Sequence, residues 1–187
     1  MANKTTGGLR ADARRNRARV LEVAAATFAS EGLSVPVHEI ARRAGVGTGT
    51  VSRHFPAKED LFAAILLGRM EQLTASADAL ASSRDPGPAF FAFFAAVVRE
   101  GAANRGLAQA LAGAGYDLDS AAVRAGYDVT GRLRDLLARA QQAGAVRPEI
   151  DDADVKALLA GCLARGGDGA TLDRVVTVVC DGLRPPG

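Results

Sequence analysis

The sequence predicts an all-α protein of about nine helices. Three observations predict it. Alanine is abundant while aromatic residues make up 5% and tryptophan is absent. Apolar residues recur at three- and four-residue intervals, and alternating Val/Ile/Thr/Tyr runs are scarce. The breaks between periodic stretches are glycines and prolines. With 187 residues, 48% of them apolar, the chain has enough material for a buried core in one compact unit or two small ones. Charged residues are 24% and mixed in sign, which argues against global disorder.

Each element has a local reason. Residues 1–10 read as a flexible N-terminal arm, since MANKTTGGL is small, polar and glycine-containing. From about Ala11 a helix carries Val20, Leu21, Ala24, Ala25 and Phe28 at helical spacing, and Gly32 marks its end. Pro36 suits the first turn of a second helix, whose face is Val37, Ile40, Ala41 and Ala44, and Gly45 breaks it. A third short helix spans about Thr48 to Phe55 and stops at Pro56. Lys58 to about Ala81 reads as a long helix with the stripe Leu61, Phe62, Ile65, Leu66, Met70, Leu73. The segment 82–88, SSRDPGP, is a break. A phenylalanine-rich helix follows, then short helices over 101–116, where glycines stand at 101, 106, 113 and 115. Leu118 to Ala143 reads as one long helix ended by Gly144. Asp151, Asp152 and Asp154 fall in a first turn, where the helix dipole favours acids. Residues 165–169 read as a loop, and a last helix runs from about Thr171 to Leu183.

Charge is unevenly placed. Residues 1–58 hold ten basic and four acidic side chains, a net +6, whereas the remainder holds thirteen and seventeen, a net −4. A basic N-terminal third on a mildly acidic body points to a polyanion-binding head. Within it, two short helices meet at Ala44-Gly45-Val46, a turn that lets the second helix cross the first. Val46 and Val51 take the inner side of the second helix. Thr48, Gly49, Thr50, Ser52, Arg53 and His54 are left outward. Small donors with cations are the mix that meets phosphates and base edges. A plain helical hairpin does not account for a donor-rich face inside the basic region.

These residues carry a resemblance. Arg19-Val-Leu-Glu-Val-Ala-Ala-Ala-Thr-Phe28, Glu31-Gly32, Glu39-Ile-Ala41, Ala44-Gly-Val46, Gly49-Thr-Val51 and His54-Phe-Pro-Ala-Lys58-Glu-Asp-Leu61 stand in one order over residues 11–73. Together they resemble the DNA-binding head of the tetracycline-repressor (TetR) family of bacterial regulators. The resemblance implies a helix-turn-helix domain over 11–57, a ligand-binding and dimerisation body over 58–187, and a homodimer bound to palindromic operator DNA. It implies that Thr48 faces base edges and that Thr50, His54 and Lys58 touch phosphates, with Gly49, Ser52, Arg53 and Arg17 completing the interface. Ser52 stands where the family usually has a tyrosine, so that phosphate contact is either weakened or replaced, with Arg53 as the candidate replacement. Pro36 stands where it usually has a threonine, which leaves Ser34 as the candidate cap.

In such a body an apolar, aromatic cavity would take a small, mainly apolar effector and release a repressor from its operator. The candidate lining residues are Leu66, Met70, Phe93, Phe94, Val97, Leu111, Tyr116, Tyr127 and Leu133. Each is more readily read as ordinary core, and the alternative function is a constitutive or protein-regulated DNA-binding module with no pocket. Leu158, Cys162, Leu172, Val175, Val176 and Val179 are the candidate dimer residues, because the terminal helix is apolar on more than one face. A helix buried within its own chain explains them as well.

No catalytic, metal or cofactor constellation is readable. Gly45-Val-Gly47-Thr-Gly49 lacks a preceding strand and has Thr50 where a dinucleotide fingerprint needs its third glycine. Two cysteines, Cys162 and Cys180, exclude a disulfide scaffold and a four-thiolate zinc site; they read as small buried hydrophobes, with a redox switch as the other reading. No apolar run approaches the ~18 residues of a membrane span. A cytoplasmic protein with no membrane partner is the expectation.

Overall fold

The computed structural model describes residues 4–82, 85–165 and 168–186. Among them are ten helices and no strand: α1 Lys4–Glu31, α2 Val37–Ala44, α3 Thr48–His54, α4 Lys58–Ala81, α5 Pro86–Ala103, α6 Arg105–Gly113, α7 Leu118–Arg124, α8 Val129–Gln142, α9 Asp152–Arg165 and α10 Gly169–Leu183. None of the described helices is long and apolar enough to cross a membrane.

Two compact units form. One comprises the chain up to Leu66 together with Gly106–Leu118; the other comprises Leu67–Arg105 and the chain from Asp119 onward. The first is built on Val20, Ala24 and Phe28 of α1, Ile40, Ala41 and Ala44 of α2, Val51 of α3 and Leu61, Phe62, Ile65 and Leu66 of α4. Leu107 and Leu111 of α6 join that core, so the packing unit is larger than segment 11–57. The second centres on α5, which packs against α8, α9 and α10. Phe90, Phe93 and Phe94 are wholly buried there, among Leu133, Leu136, Leu137, Val155, Cys162 and Val176. Each such phenylalanine is worth about 1.5–3 kcal/mol of burial. Gly101 brings α9 close, since a Cβ at that position would lie 3.0 Å from Leu163 Cδ2.

Four expectations need correction. The expected arm at 1–10 is helical from Lys4, because adding residues to an established helix costs far less than nucleating one; residues 1–3 lie outside the described residues. The single helix expected over 118–143 is two. Gly126 adopts φ +85, and the Asp128 side chain accepts from Gly131 N at 2.8 Å to cap α8. That break makes the total ten rather than nine. Pro36 is the N-cap of α2 (φ −76, ψ 151) rather than a first-turn residue; no side chain, Ser34 included, caps the helix, and the Pro36 carbonyl accepts from Glu39 N at 3.1 Å. Finally, α10 begins at Gly169, where Asp168 accepts from Thr171 N at 2.8 Å. Of the expected breaks, residues 83–84 and 166–167 lie outside the described residues.

Candidate nucleic-acid interface

The site starts at a turn. Gly45 takes the left-handed conformation (φ 66, ψ 32) that only glycine adopts without cost. Val46 N then reaches back to Ala41 O at 3.0 Å, closing a Schellman motif at the end of α2. Gly47 is the N-cap of α3, and its carbonyl accepts from Thr50 N at 2.9 Å and Val51 N at 3.3 Å. Three residues thus redirect the chain.

Burial sets which way α3 faces. Val51 is fully buried and Phe55, its C-cap, is buried. Thr48, Gly49, Ser52, Arg53 and His54 are exposed, and Thr50 is half-buried. Arg53 and His54 lie in the last turn, where the helix dipole favours cations. A Cβ added at Gly49 would meet nothing within 4 Å, so the outer side of α3 is open there. The structure therefore brings the predicted recognition residues onto one short helix and leaves them solvent-facing.

Two arginines of α1 flank it. Arg17 is exposed, and its guanidinium carbon lies 5.3 Å from the Phe55 ring centroid at the C-terminal end of α3. Arg19 Nη2 lies 3.9 Å from where a Cβ would stand on Gly45, beside the turn. The sequence points to Arg17 as a DNA contact, whereas Arg19 enters it only in the basic total and as the first residue of the Arg19–Phe28 segment.

Arg42, Arg43 and Lys58 of this unit are bound to groups of the protein itself. Glu39 accepts from Arg42 Nε at 2.7 Å and Nη2 at 2.6 Å, and from Arg43 Nε at 2.7 Å. Arg43 also donates to Glu31 on α1, at 3.0 Å through Nη2. Hydrogen bonds from Arg42 and then Arg43 pull the Glu39 carboxyl down to about 2, and Arg43 lowers that of Glu31. Lys58, the first residue of α4, is half-buried; its ammonium donates to the Leu33 carbonyl.

The remaining candidates divide. Phe93, Phe94, Val97 and Leu133 share the second core, while Leu66, Leu111 and Tyr116 belong to the first. Met70 and Tyr127 are half-buried. Cys162, Leu172 and Val176 face their own core, whereas Leu158, Val175 and Val179 are half-buried. Val178, absent from the predicted dimer set, is 72% exposed. Burial pushes both cysteine thiols up, so neither is a ready thiolate. Among the described residues, no group of three His, Cys, Asp or Glu side chains gathers as for a metal.

Known proteins match this arrangement. A model of the tetR family of bacterial regulatory proteins matches residues 20–65, and one of the C-terminal domain of SbtR-like transcriptional regulators matches residues 85–185. HTH-type transcriptional regulators of Staphylococcus aureus are 43% identical over 54 residues, which span 28% of this chain and only 29% of those relatives. A TetR transcription regulatory protein from Mycobacterium vanbaalenii is 50% identical, with a TM-score of 0.74 over 95% of this chain and 99% of that one. The TetR regulator SCO0520 from Streptomyces coelicolor is 30% identical, with a TM-score of 0.73 over 91% and 99%.

Proposed function

The chain belongs to the TetR family of DNA-binding transcriptional regulators, and from that membership we propose that it acts as a homodimeric repressor of a palindromic operator. One observation carries the reading: α3 buries Val51 while turning Thr48, Gly49, Ser52, Arg53 and His54 to solvent, within a segment of net +6. Thr48 at the start of α3 reads base edges. Thr50, Ser52, Arg53 and His54 meet phosphates, and Arg17 and Arg19 add salt-dependent affinity. Two such helices enter successive major grooves ~34–36 Å apart. The pairing face is that of α9 and α10.

The test is selection of bound sequences from a random duplex library at stated salt. An inverted repeat with half-sites about one helical turn apart is the expected product. Salt-sensitive binding with no preferred sequence overturns the specific reading.

A small apolar effector would release the repressor by binding one of two states more tightly than the other, and only by that difference. Of the candidate lining residues, Met70, Val97 and Tyr127 of the second unit are half-buried. The complete burial of Phe93, Phe94 and Leu111 favours a second reading, a regulator without an effector pocket. A thermal-shift screen of apolar compounds separates them: a compound that raises the unfolding temperature and weakens duplex binding supports an effector.

A further inference from the structure

Lys58 is a lysine in an unusual setting. It is the first residue of a helix, where the helix dipole disfavours a cation, and it is half-buried, whereas lysines are mostly exposed. Its ammonium donates to the backbone carbonyl of Leu33, twenty-five residues earlier. It also lies 5.6 Å from the Phe28 centroid and 5.9 Å from that of Phe62. Those two rings pack edge to face with centroids 5.1 Å apart. Phe28 belongs to the last turns of α1, Leu33 to the turn that leads into α2, and Phe62 to α4. One side chain therefore joins the end of α1, the following turn and the start of α4. Beside it, the Asp60 carboxylate accepts from Ala57 N at 2.8 Å and fixes where α4 begins.

These contacts are all to neutral groups. The strong carboxylate partners in this unit are taken by Arg42 and Arg43. One donor of this ammonium is thus used within the unit, and its charge lies near two aromatic rings. The basic side chains left outward around α3 include Arg17, Arg19, Arg53 and His54.

We propose that Lys58 is a positioning residue for DNA recognition rather than a phosphate ligand. It fixes the turn at Leu33 against the start of α4, and so sets the angle at which α2 and α3 are presented. The inference rests on the DNA-binding reading above. It separates the seven-residue recognition helix, which touches the duplex, from the lysine that aims it.

The test compares Lys58→Met with Arg53→Met on two duplexes of equal length, the selected inverted repeat and a scrambled one, over a range of salt. Methionine keeps the apolar stem over the rings and removes the charge and its donors. Lys58→Met is expected to lose about ten-fold in affinity on the selected duplex. On the scrambled duplex it is expected to stay within about two-fold, with an unchanged salt slope, while Arg53→Met lowers the slope by about 1 on both duplexes. A slope lowered by about 1 for Lys58→Met, with both duplexes weakened alike, overturns the proposal. Unchanged binding to both overturns it as well.

Should selection yield no preferred sequence, the specific-regulator reading fails on its own, and the salt slope on random duplex still decides the role of Lys58. A variant-free measurement guards against misfolding. The chain has three lysines, Lys4, Lys58 and Lys156. Under reductive methylation of the free wild-type protein, Lys58 is expected to label more slowly than Lys156, which pairs with Asp152 at 2.7 Å on an exposed surface. Equal labelling means that the ammonium is free, and overturns the proposal.

Discussion

Gly49 is the residue whose two costs point in opposite directions. It sits in the first turn of α3, where glycine disfavours helix, and its missing Cβ would meet nothing within 4 Å. Gly49→Ala is therefore expected to stabilise the free protein by about 0.5–1 kcal/mol. On an outward face that approaches a duplex, the same methyl intrudes. Chemical denaturation should show the gain, and titration with the selected duplex should show a several-fold loss. A gain in stability with unchanged affinity would place the duplex away from this face. Thr48, beside it, is expected to behave differently: its substitution changes which sequence is preferred in a repeated selection, not merely how tightly DNA is held. This side of the site was legible in the sequence because Val51 and Phe55 fix which face turns inward. The environment of Lys58 was not legible, since it depends on a backbone carbonyl twenty-five residues away and on two rings from different helices.

At the scale of elements, the helices that the sequence specifies well are those whose ends carry their own stop signals. Lys58–Ala81 was readable at both ends, with Pro56 before it and the SSRDPGP segment after it. The 118–143 stretch was misread because Ala122, Val129, Leu133 and Leu136 sustain an apolar rhythm through the break. The information lay instead in Gly126 and Asp128, a left-handed glycine followed by a side-chain cap. Asp128→Ala is expected to cost about 1 kcal/mol in urea denaturation by leaving the Gly131 N–H without its acceptor. The α1–α2 pairing makes a separate expectation. The Glu39 carboxyl is lowered from 4.5 to about 2 in the folded protein, so its contribution is complete above the ordinary value and is lost as pH falls from about 4.5 toward 2. Glu39→Gln should lower the unfolding temperature at pH 7 and flatten its decline over that acid range. The pair is exposed enough that added salt should shrink the difference. An unchanged pH profile in the variant would remove Glu39 from the clamp.

At the scale of the whole molecule, sequence order and packing part company. The chain leaves its first compact unit after Leu66 and returns to it for Gly106–Leu118, a rejoining that no local periodicity announces. Leu107 and Leu111 look like the stripe of any short helix, and only the fold assigns them to the core of Ile40 and Phe62. A second matter at this scale is what meets the outer side of α9 and α10. Their inward residues Val155, Cys162, Leu172, Val176, Cys180 and Leu183 are buried in their own core. Outward, α10 exposes Val178 at 72%, flanked by half-buried Val175 and Val179, and α9 exposes Ala157, Ala160, Gly161 and Ala164. Small residues on one helix and a projecting valine on the next suit close apposition to a second copy. Val178→Glu tests this without disturbing the core, since an exposed substitution ordinarily moves stability by no more than about 0.5 kcal/mol. In a dimer seam the same carboxylate is buried without a partner, which costs about 1–3 kcal/mol or more. Sedimentation should then show the wild type as a dimer and the variant as a monomer with an unchanged unfolding profile by circular dichroism at low concentration. Its affinity for the full inverted repeat should fall steeply while its affinity for an isolated half-site is kept, because each head is intact and only the coupling of two heads is lost. A variant that stays dimeric and retains full-site affinity would move the pairing face away from Val178.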